Sequence, residues 1–157
     1  IEHAKNYNVT NFIFSKKELE STSVLVKTLE KHKVDILVLA GFLLKIPSTF
    51  INEFSGKIIN VHPSLLPKYG GKGMYGDNVH RAVLSAREKL TGITFHYVNE
   101  KYDDGEIIAQ FPVVISELES LSSLKEKINK LEKLKFPEII ISIYNESVKK
   151  ENTRNNI

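Results

Sequence analysis

Cysteine and tryptophan are missing from this chain of 157 residues, and methionine occurs once. Without cysteine there is no disulfide, no thiolate zinc site and no Cys nucleophile, which fits a reducing compartment. Long apolar runs are lacking too. The longest, Ile36 to Leu44, holds Gly41 inside it and falls far short of the roughly 20 residues a membrane-spanning helix needs. The opening Ile-Glu-His-Ala-Lys has neither an apolar signal-peptide core nor an initiator Met. Neither sign of charge dominates: 22 Lys and Arg stand against 19 Asp and Glu. The lysines are scattered, and no Arg-rich or aromatic-interleaved stripe marks a nucleic-acid surface. Small molecules are the expected partners, with no nucleic acid and no membrane, and the expected location is cytoplasmic. What remains is a globular balance, 41% hydrophobic and 26% charged, at a length that suits one domain with a real core.

Along the chain, Val9 to Phe14 reads as a short strand. Ser15 and Glu18 then form a capping box that opens a helix running to about His32. Val34 to Ala40 is apolar and rich in β-branched residues apart from Asp35, as a strand buried on both faces would be. Pro47 suits the first turn of a short helix through Phe54, and Lys57 to His62 is the next strand. Pro63 and Pro67 bracket a stiff connection, and Gly70, Gly71, Gly73 and Gly76 follow as a mobile loop. Asp77 or Asn78 can cap a helix with Val79, Ala82, Val83 and Ala86 on one face. Strands are expected at Gly92–Val98 and Ile107–Ile115, joined by the acidic turn Asn99–Gly105. A last helix starts near Leu121, and Pro137 kinks or restarts it before Ile139–Tyr144. Residues 145–157 are polar and read as a frayed tail. Strands alternating with helices argue an open α/β sheet in one domain, 1–157.

Asn60-Val61-His62 ends one of these strands. Side chains two apart on a strand share a face, so Asn60 and His62 project together while Val61 packs the other way. Pro63 stops the ladder and leaves the pair at the carboxyl edge of the sheet, where open α/β sheets bind ligands. Two convergent donors make an oxyanion site. Acyl transfer also needs a group to manage the proton lost by an attacking amine, and Asp103-Asp104-Gly105 offers carboxylates nearby. On spacing alone the pair is more often structural than catalytic.

The full string Asn60-Val-His-Pro-Ser-Leu-Leu-Pro67 resembles the signature of the folate-dependent formyltransferase family. Leu39-Ala-Gly-Phe42, Lys68-Tyr69 and Tyr102-Asp-Asp-Gly-Glu-Ile-Ile108 are similar to its branch that formylates glycinamide ribonucleotide. The resemblance runs from about Val34 to Tyr144. It implies an open, mostly parallel, Rossmann-like sheet with helices on both faces. It also implies transfer of a formyl group from 10-formyltetrahydrofolate to the ribonucleotide's amine, a step of purine synthesis, without a metal. The family's catalytic Asn, His and Asp fall on Asn60, His62 and Asp103. By resemblance His62 and Asn60 hold the developing alkoxide, while Asp103 favours the charged form of His62 and assists proton transfer through water. The folate pocket falls on Leu43, Leu44, Lys45 and Ile46 and on Val98, Asn99, Glu100, Lys101 and Tyr102, with Asn60 between them. Leu44 stands where many relatives carry Arg. Substrate contacts fall on Pro63, Glu132 and Asn129, the last in place of a Gln. Nothing before Val9 resembles the family's phosphate loop at a helix N-terminus. The expectation is a fragment, N-terminally truncated, that binds the nucleotide poorly and exposes strand edges.

Three rival readings stay open: methionyl-tRNA formyltransferase, a hydrolase of 10-formyltetrahydrofolate, and a non-catalytic folate-binding relic. The intact His-Pro-Ser-Leu-Leu string followed by Lys68-Tyr-Gly-Gly argues against the first two. His96 either faces the site or packs in the core. His80, on a helix beside Arg81, either touches folate or, as the commoner case, belongs to a partly exposed surface pair. His62, His80 and His96 lack the close spacing of a zinc-ligand pair, and Lys101 spoils a calcium loop. The glycines at 70–76 read as a lid over the folate site. A monomer or homodimer is expected.

Overall fold

The computed structural model describes residues 2–154. Helix α1 (Glu2–Asn6) comes first. The strand expected at Val9–Phe14 does not form. Val9, Phe12 and Ile13 are exposed, and the segment pairs with none of the described strands. A β-branched composition does not hold a strand without a ladder partner or a covered face. Helix α2 (Lys16–Glu20) opens on the expected capping box: Glu18 N–H donates to Ser15 Oγ at 3.2 Å and Ser15 N–H to the Glu18 carboxylate at 2.7 Å. The helix expected to run to His32 is divided, because Thr22 sits at φ 45° before α3 (Ser23–Lys31).

Strand β1 (Ile36–Leu39) is shorter than the expected 34–40 and only half-buried, because it stands at the end of the sheet among the described residues; helix α4 (Ser48–Glu53, entered from Pro47) and strand β2 (Lys57–His62) follow as read from the pattern. Then come α5 (Asp77–Ser85), β3 (Leu90–Tyr97), β4 (Ile107–Val114) and α6 (Leu121–Arg154). Helix α6 continues through Pro137 instead of restarting there. Pro137 and Lys133, whose carbonyl the proline leaves without its helical donor, are both exposed, so water can take that bond. Of the tail expected to fray at 145–157, residues 145–154 continue the same helix, and 155–157 lie outside the described residues. Among the described residues no helix is long and apolar enough to cross a membrane.

The sheet has the order β1-β2-β3-β4. The α/β class stands, and the sheet is mixed. β1 pairs with β2 in parallel, but β2–β3 and β3–β4 are antiparallel. The turn between β3 and β4 is too short for the crossover that parallel neighbours require, so β4 must run back along β3.

Two cores lie on the two faces of the sheet. On one, Val79 and Val83 of α5 and Leu124 and Ile128 of α6 pack on Ile93 and Phe95 of β3, with Val61 alongside. On the other, Leu19, Val26 and Phe50 from α2, α3 and α4, with Phe54 just past α4, cover Ile58 of β2. Strand alternation therefore puts Asn60 and His62 on the Ile58 face and Val61 on the opposite one. The register sets Asn60 opposite His96 and His62 opposite Thr94.

Candidate active site

Past His62 the chain turns into a segment pinned from below. Leu66 N–H donates to Thr94 Oγ1 at 3.0 Å, Thr94 Oγ1–H to the Ser64 carbonyl at 2.6 Å, and Gln110 Nε2 to the Leu66 carbonyl at 2.9 Å. Ser64 and Thr94 are fully buried. The Pro63–Pro67 stretch thus has its polar groups met by β3 and β4, as burial demands. Tyr69 beyond it is fixed by its hydroxyl, which donates to Glu88 at 2.9 Å. Its carbonyl in turn accepts from His62 Nε2 at 2.7 Å. A carbonyl can only accept, so Nε2 carries the proton.

Asp103 reaches His62 because the 98–106 turn folds back over the same face. A Cβ on Gly105 would run into the Tyr97 carbonyl, so only glycine allows so close an approach. Asp103 itself takes φ 52°, the sparsely occupied left-handed region. Its Oδ2 lies 3.5 Å from His62 Nδ1 and accepts Gly71 N–H at 2.8 Å, while Oδ1 lies 3.7 Å from His96 Nε2. Burial pushes the Asp103 carboxyl up. The hydrogen bond and charge of His62 and the Gly71 N–H outweigh it and hold the carboxyl below its usual range.

His96, read as either a site or a core residue, is both. It is 2% exposed and touches two members of the trio. Its Nδ1–H donates to the Tyr97 carbonyl at 2.8 Å. Burial holds the ring below its ordinary pKa, against the raising effects of that bond and of Asp103. The ring is therefore neutral with its lone pair on Nε2, 3.2 Å from Asn60 Nδ2. That lone pair selects which way the Asn60 amide faces: NH₂ toward His96, with one N–H left over.

These groups open into a cleft of about 700 Å³, within the range of small-molecule sites. Asn60, His62 and Asp103 are brought together on its wall, with Pro63 beside them. One side is built by Leu43, Leu44, Lys45 and Ile46 and by Val98, Asn99, Lys101 and Tyr102. There the Lys45 ammonium sits 5.7 Å from the Tyr102 ring centre. Asn129 and Glu132 line the side given by α6, and burial pushes the Glu132 carboxyl up. Glu100 is the exception among the expected residues. It lies off the cleft and accepts from Asn52 Nδ2 at 3.4 Å, its side chain turned outward at the exposed tip of the turn.

His80 was misjudged in the other direction. It is 5% exposed and lines the cleft rather than the surface. The signal was its spacing, three residues before buried Val83 on α5. Among the described residues no cluster of three or more His, Asp or Glu side chains is placed to hold a metal ion.

A strand-end Asn and His beside a turn carboxylate, in a cleft with an apolar wall, suit acyl transfer through a tetrahedral intermediate. The family model described as Formyl transferase matches residues 1–140, and the chain belongs to that family. It is 37% identical over 153 residues to the chloroplastic phosphoribosylglycinamide formyltransferase of Arabidopsis thaliana, covering 94% of this chain and 52% of that protein. It is 36% identical over 144 residues to phosphoribosylglycinamide formyltransferase of Bacillus subtilis strain 168, covering 89% and 71%. The crystal structure of phosphoribosylglycinamide formyltransferase from Anaplasma phagocytophilum superposes with a TM-score of 0.81 at 32% identity, covering 91% of this chain and 67% of that one. The chain spans about half the length of the plant relatives it matches.

Proposed function

We propose that this chain carries the reacting centre of a transferase that moves the formyl group of 10-formyltetrahydrofolate to the amine of glycinamide ribonucleotide. The observation that carries the reading is the convergence of Asn60, His62 and Asp103 on one rim of the cleft, each held by its own hydrogen bonds. Membership of the formyl transferase family supports the reaction type, and the names of its relatives support the acceptor. Residues 1–157 act as one transferase domain in the cytoplasm, as a monomer or homodimer.

In the reaction the acceptor's amine nitrogen bonds to the formyl carbon, the carbonyl π pair moves onto oxygen, and on collapse the bond to N10 breaks. The Asn60 N–H not used by His96 is the first donor to the oxyanion. His62 Nε2–H is the second, giving up the Tyr69 carbonyl as the ligand arrives, since such bonds tighten only in the complex. Asp103, held ionised, accepts the proton released by the amine through water and returns it to N10. The folate's flat ring fits the wall of Leu43, Leu44, Lys45, Ile46, Val98, Asn99, Lys101 and Tyr102, where Lys45 and Tyr102 already contact each other. Glu132 and Asn129 face the ribose hydroxyls, and Pro63 closes the floor beside His62.

His62→Ala in the full-length protein tests this. Turnover should fall by roughly 10²- to 10³-fold, as for loss of an oxyanion donor, with folate affinity little changed. An unaltered rate removes His62 from the reaction.

A further inference from the structure

The carbonyl that accepts from His62 Nε2, at 2.7 Å, belongs to a residue in a costly conformation: Tyr69 stands at φ 58°. A bulky residue keeps the left-handed region only where its surroundings impose it. Neighbours in the chain supply part of that constraint. Ser64 Oγ–H donates to the Lys68 carbonyl at 2.6 Å, and a Cβ on Gly70 would press on Leu66 and on the Cβ of Asp103. The rest comes from the side chain, whose hydroxyl donates to Glu88 Oε1 at 2.9 Å.

Glu88 is built as an anchor. It follows the last turn of α5, where Arg87 takes φ 52° and its N–H donates to the Leu84 carbonyl at 3.0 Å. Glu88 N–H then donates to the carbonyl of fully buried Val83 at 3.3 Å, which closes a Schellman motif and refers the carboxylate to the core. Lys68 also donates to Oε1, at 2.8 Å, but its side chain is 68% exposed, and an ion pair so wet contributes little. Lys68 first and the Tyr69 phenol second hold the Glu88 carboxyl below its ordinary range, so the phenol meets a charged acceptor, the stronger kind. Lys68, Tyr69 and Glu88 all lie off the cleft wall. Their arrangement therefore serves something other than contact with a ligand.

We propose that Glu88 is a positioning residue for formyl transfer: through the Tyr69 phenol it aims the Tyr69 carbonyl at His62 Nε2, and so selects the imidazole tautomer that donates to the oxyanion. The inference rests on the oxyanion role given to His62 above. A neutral imidazole carries one proton, and here two acceptors compete for it, the Tyr69 carbonyl at Nε2 and the Asp103 carboxylate 3.5 Å from Nδ1. With the carbonyl in place the proton stays on Nε2, the donor the reaction uses. With the carbonyl turned away, the carboxylate draws the proton to Nδ1 and leaves a lone pair on Nε2, which repels a developing oxyanion.

Tyr69→Phe and Glu88→Leu cut the same bond from its two ends, whereas Glu88→Gln keeps an acceptor for the phenol; all are made in the full-length protein. In Tyr69→Phe and in Glu88→Leu kcat should fall roughly tenfold, with KM for both substrates within about twofold. The double variant should lose no more than either single one, and Glu88→Gln should regain most of the rate. Lys68→Gln, which removes the exposed ion pair alone, should leave kcat unchanged. At alkaline pH the ring-nitrogen resonances of His62 should show Nε2 protonated and Nδ1 unprotonated in the wild type, and should draw together in Tyr69→Phe as the tautomers mix. An unchanged kcat in either folded variant, a loss with the His62 tautomer unmoved, or an equal loss in Lys68→Gln overturns the assignment. His62→Ala separates it from the wider reading: a large loss there beside an unchanged Tyr69→Phe overturns the positioning role alone, while an unaltered rate there overturns both. Should Glu88→Leu not fold, Tyr69→Phe, which keeps the ring, carries the comparison.

Discussion

If His96 works by orienting Asn60, its removal should matter only while Asn60 is present. The geometry is specific: Tyr97's carbonyl holds the proton on His96 Nδ1, and the Nε2 lone pair meets Asn60 Nδ2 at 3.2 Å. His96→Phe keeps the ring in its pocket and deletes both bonds. A net hydrogen bond of about 0.5–1.5 kcal/mol corresponds to a loss of roughly 2- to 13-fold in kcat. Asn60→Ala removes the oxyanion donor itself and should cost about 10²- to 10³-fold, or about 2.7–4 kcal/mol. In the double variant, His96→Phe should add almost nothing to the Asn60→Ala loss in kcat. The coupling energy should then equal the whole effect of His96→Phe alone, within about 0.3–0.5 kcal/mol, the usual scatter for independent sites. Steady-state formyl-transfer rates of the four proteins at saturating substrates supply the cycle. Simple additivity would mean that His96 acts by another route and that the amide is oriented without it.

Asp103→Asn should lower kcat by about 10²-fold or more, as for loss of a positioned proton carrier, and should shift the pH–rate profile; a superimposable profile removes the carboxylate from the mechanism. Gly105→Ala forces a Cβ against the Tyr97 carbonyl. It should destabilise the fold by about 1–3 kcal/mol and cut turnover through displacement of Asp103, and an unchanged melting temperature would show that the turn has room to spare. Glu119, hydrogen-bonded first by Lys127 and then by Ser123 and Ser116, titrates at about 2 instead of its ordinary 4.5. A depressed carboxylate gives stability that is fully present above its unfolded pKa and lost as pH falls through its folded one. Glu119→Gln should therefore melt below the wild type at pH 7, with the gap closing between about pH 4.5 and 2; a constant gap would show that the ion pair contributes nothing.

The shared face of Asn60 and His62 was legible because a period of two is a property of any strand, and β2 begins and ends where the pattern places it. The approach of Asp103 was not. It depends on a turn folding back over the sheet, on the absence of a side chain at Gly105 and on the Gly71 amide from a distant loop, none of which has a local signature. Strand direction was equally hidden, since β2 is apolar whether its neighbours run with it or against it. Val9–Phe14 has strand composition but no ladder to join, and tertiary context overrode the propensity. For His80 the evidence was present but outweighed: polarity and the adjoining Arg81 suggested a surface, while the three-residue step to Val83 pointed inward.

Helix α6 touches the catalytic strand's surroundings at both ends. Its early turns bring Lys125, Asn129 and Glu132 to the cleft at the carboxyl end of β2, and far along it Ser147 Oγ receives the Lys57 ammonium at 3.0 Å from that strand's first residue. A rod fastened to a beam at two points cannot swing about either one. The spacing between the strand-end pair and the α6 wall is therefore built into regular backbone, and it does not depend on the glycine segment at 70–76, which is tied to the site only through the Gly71 N–H on Asp103.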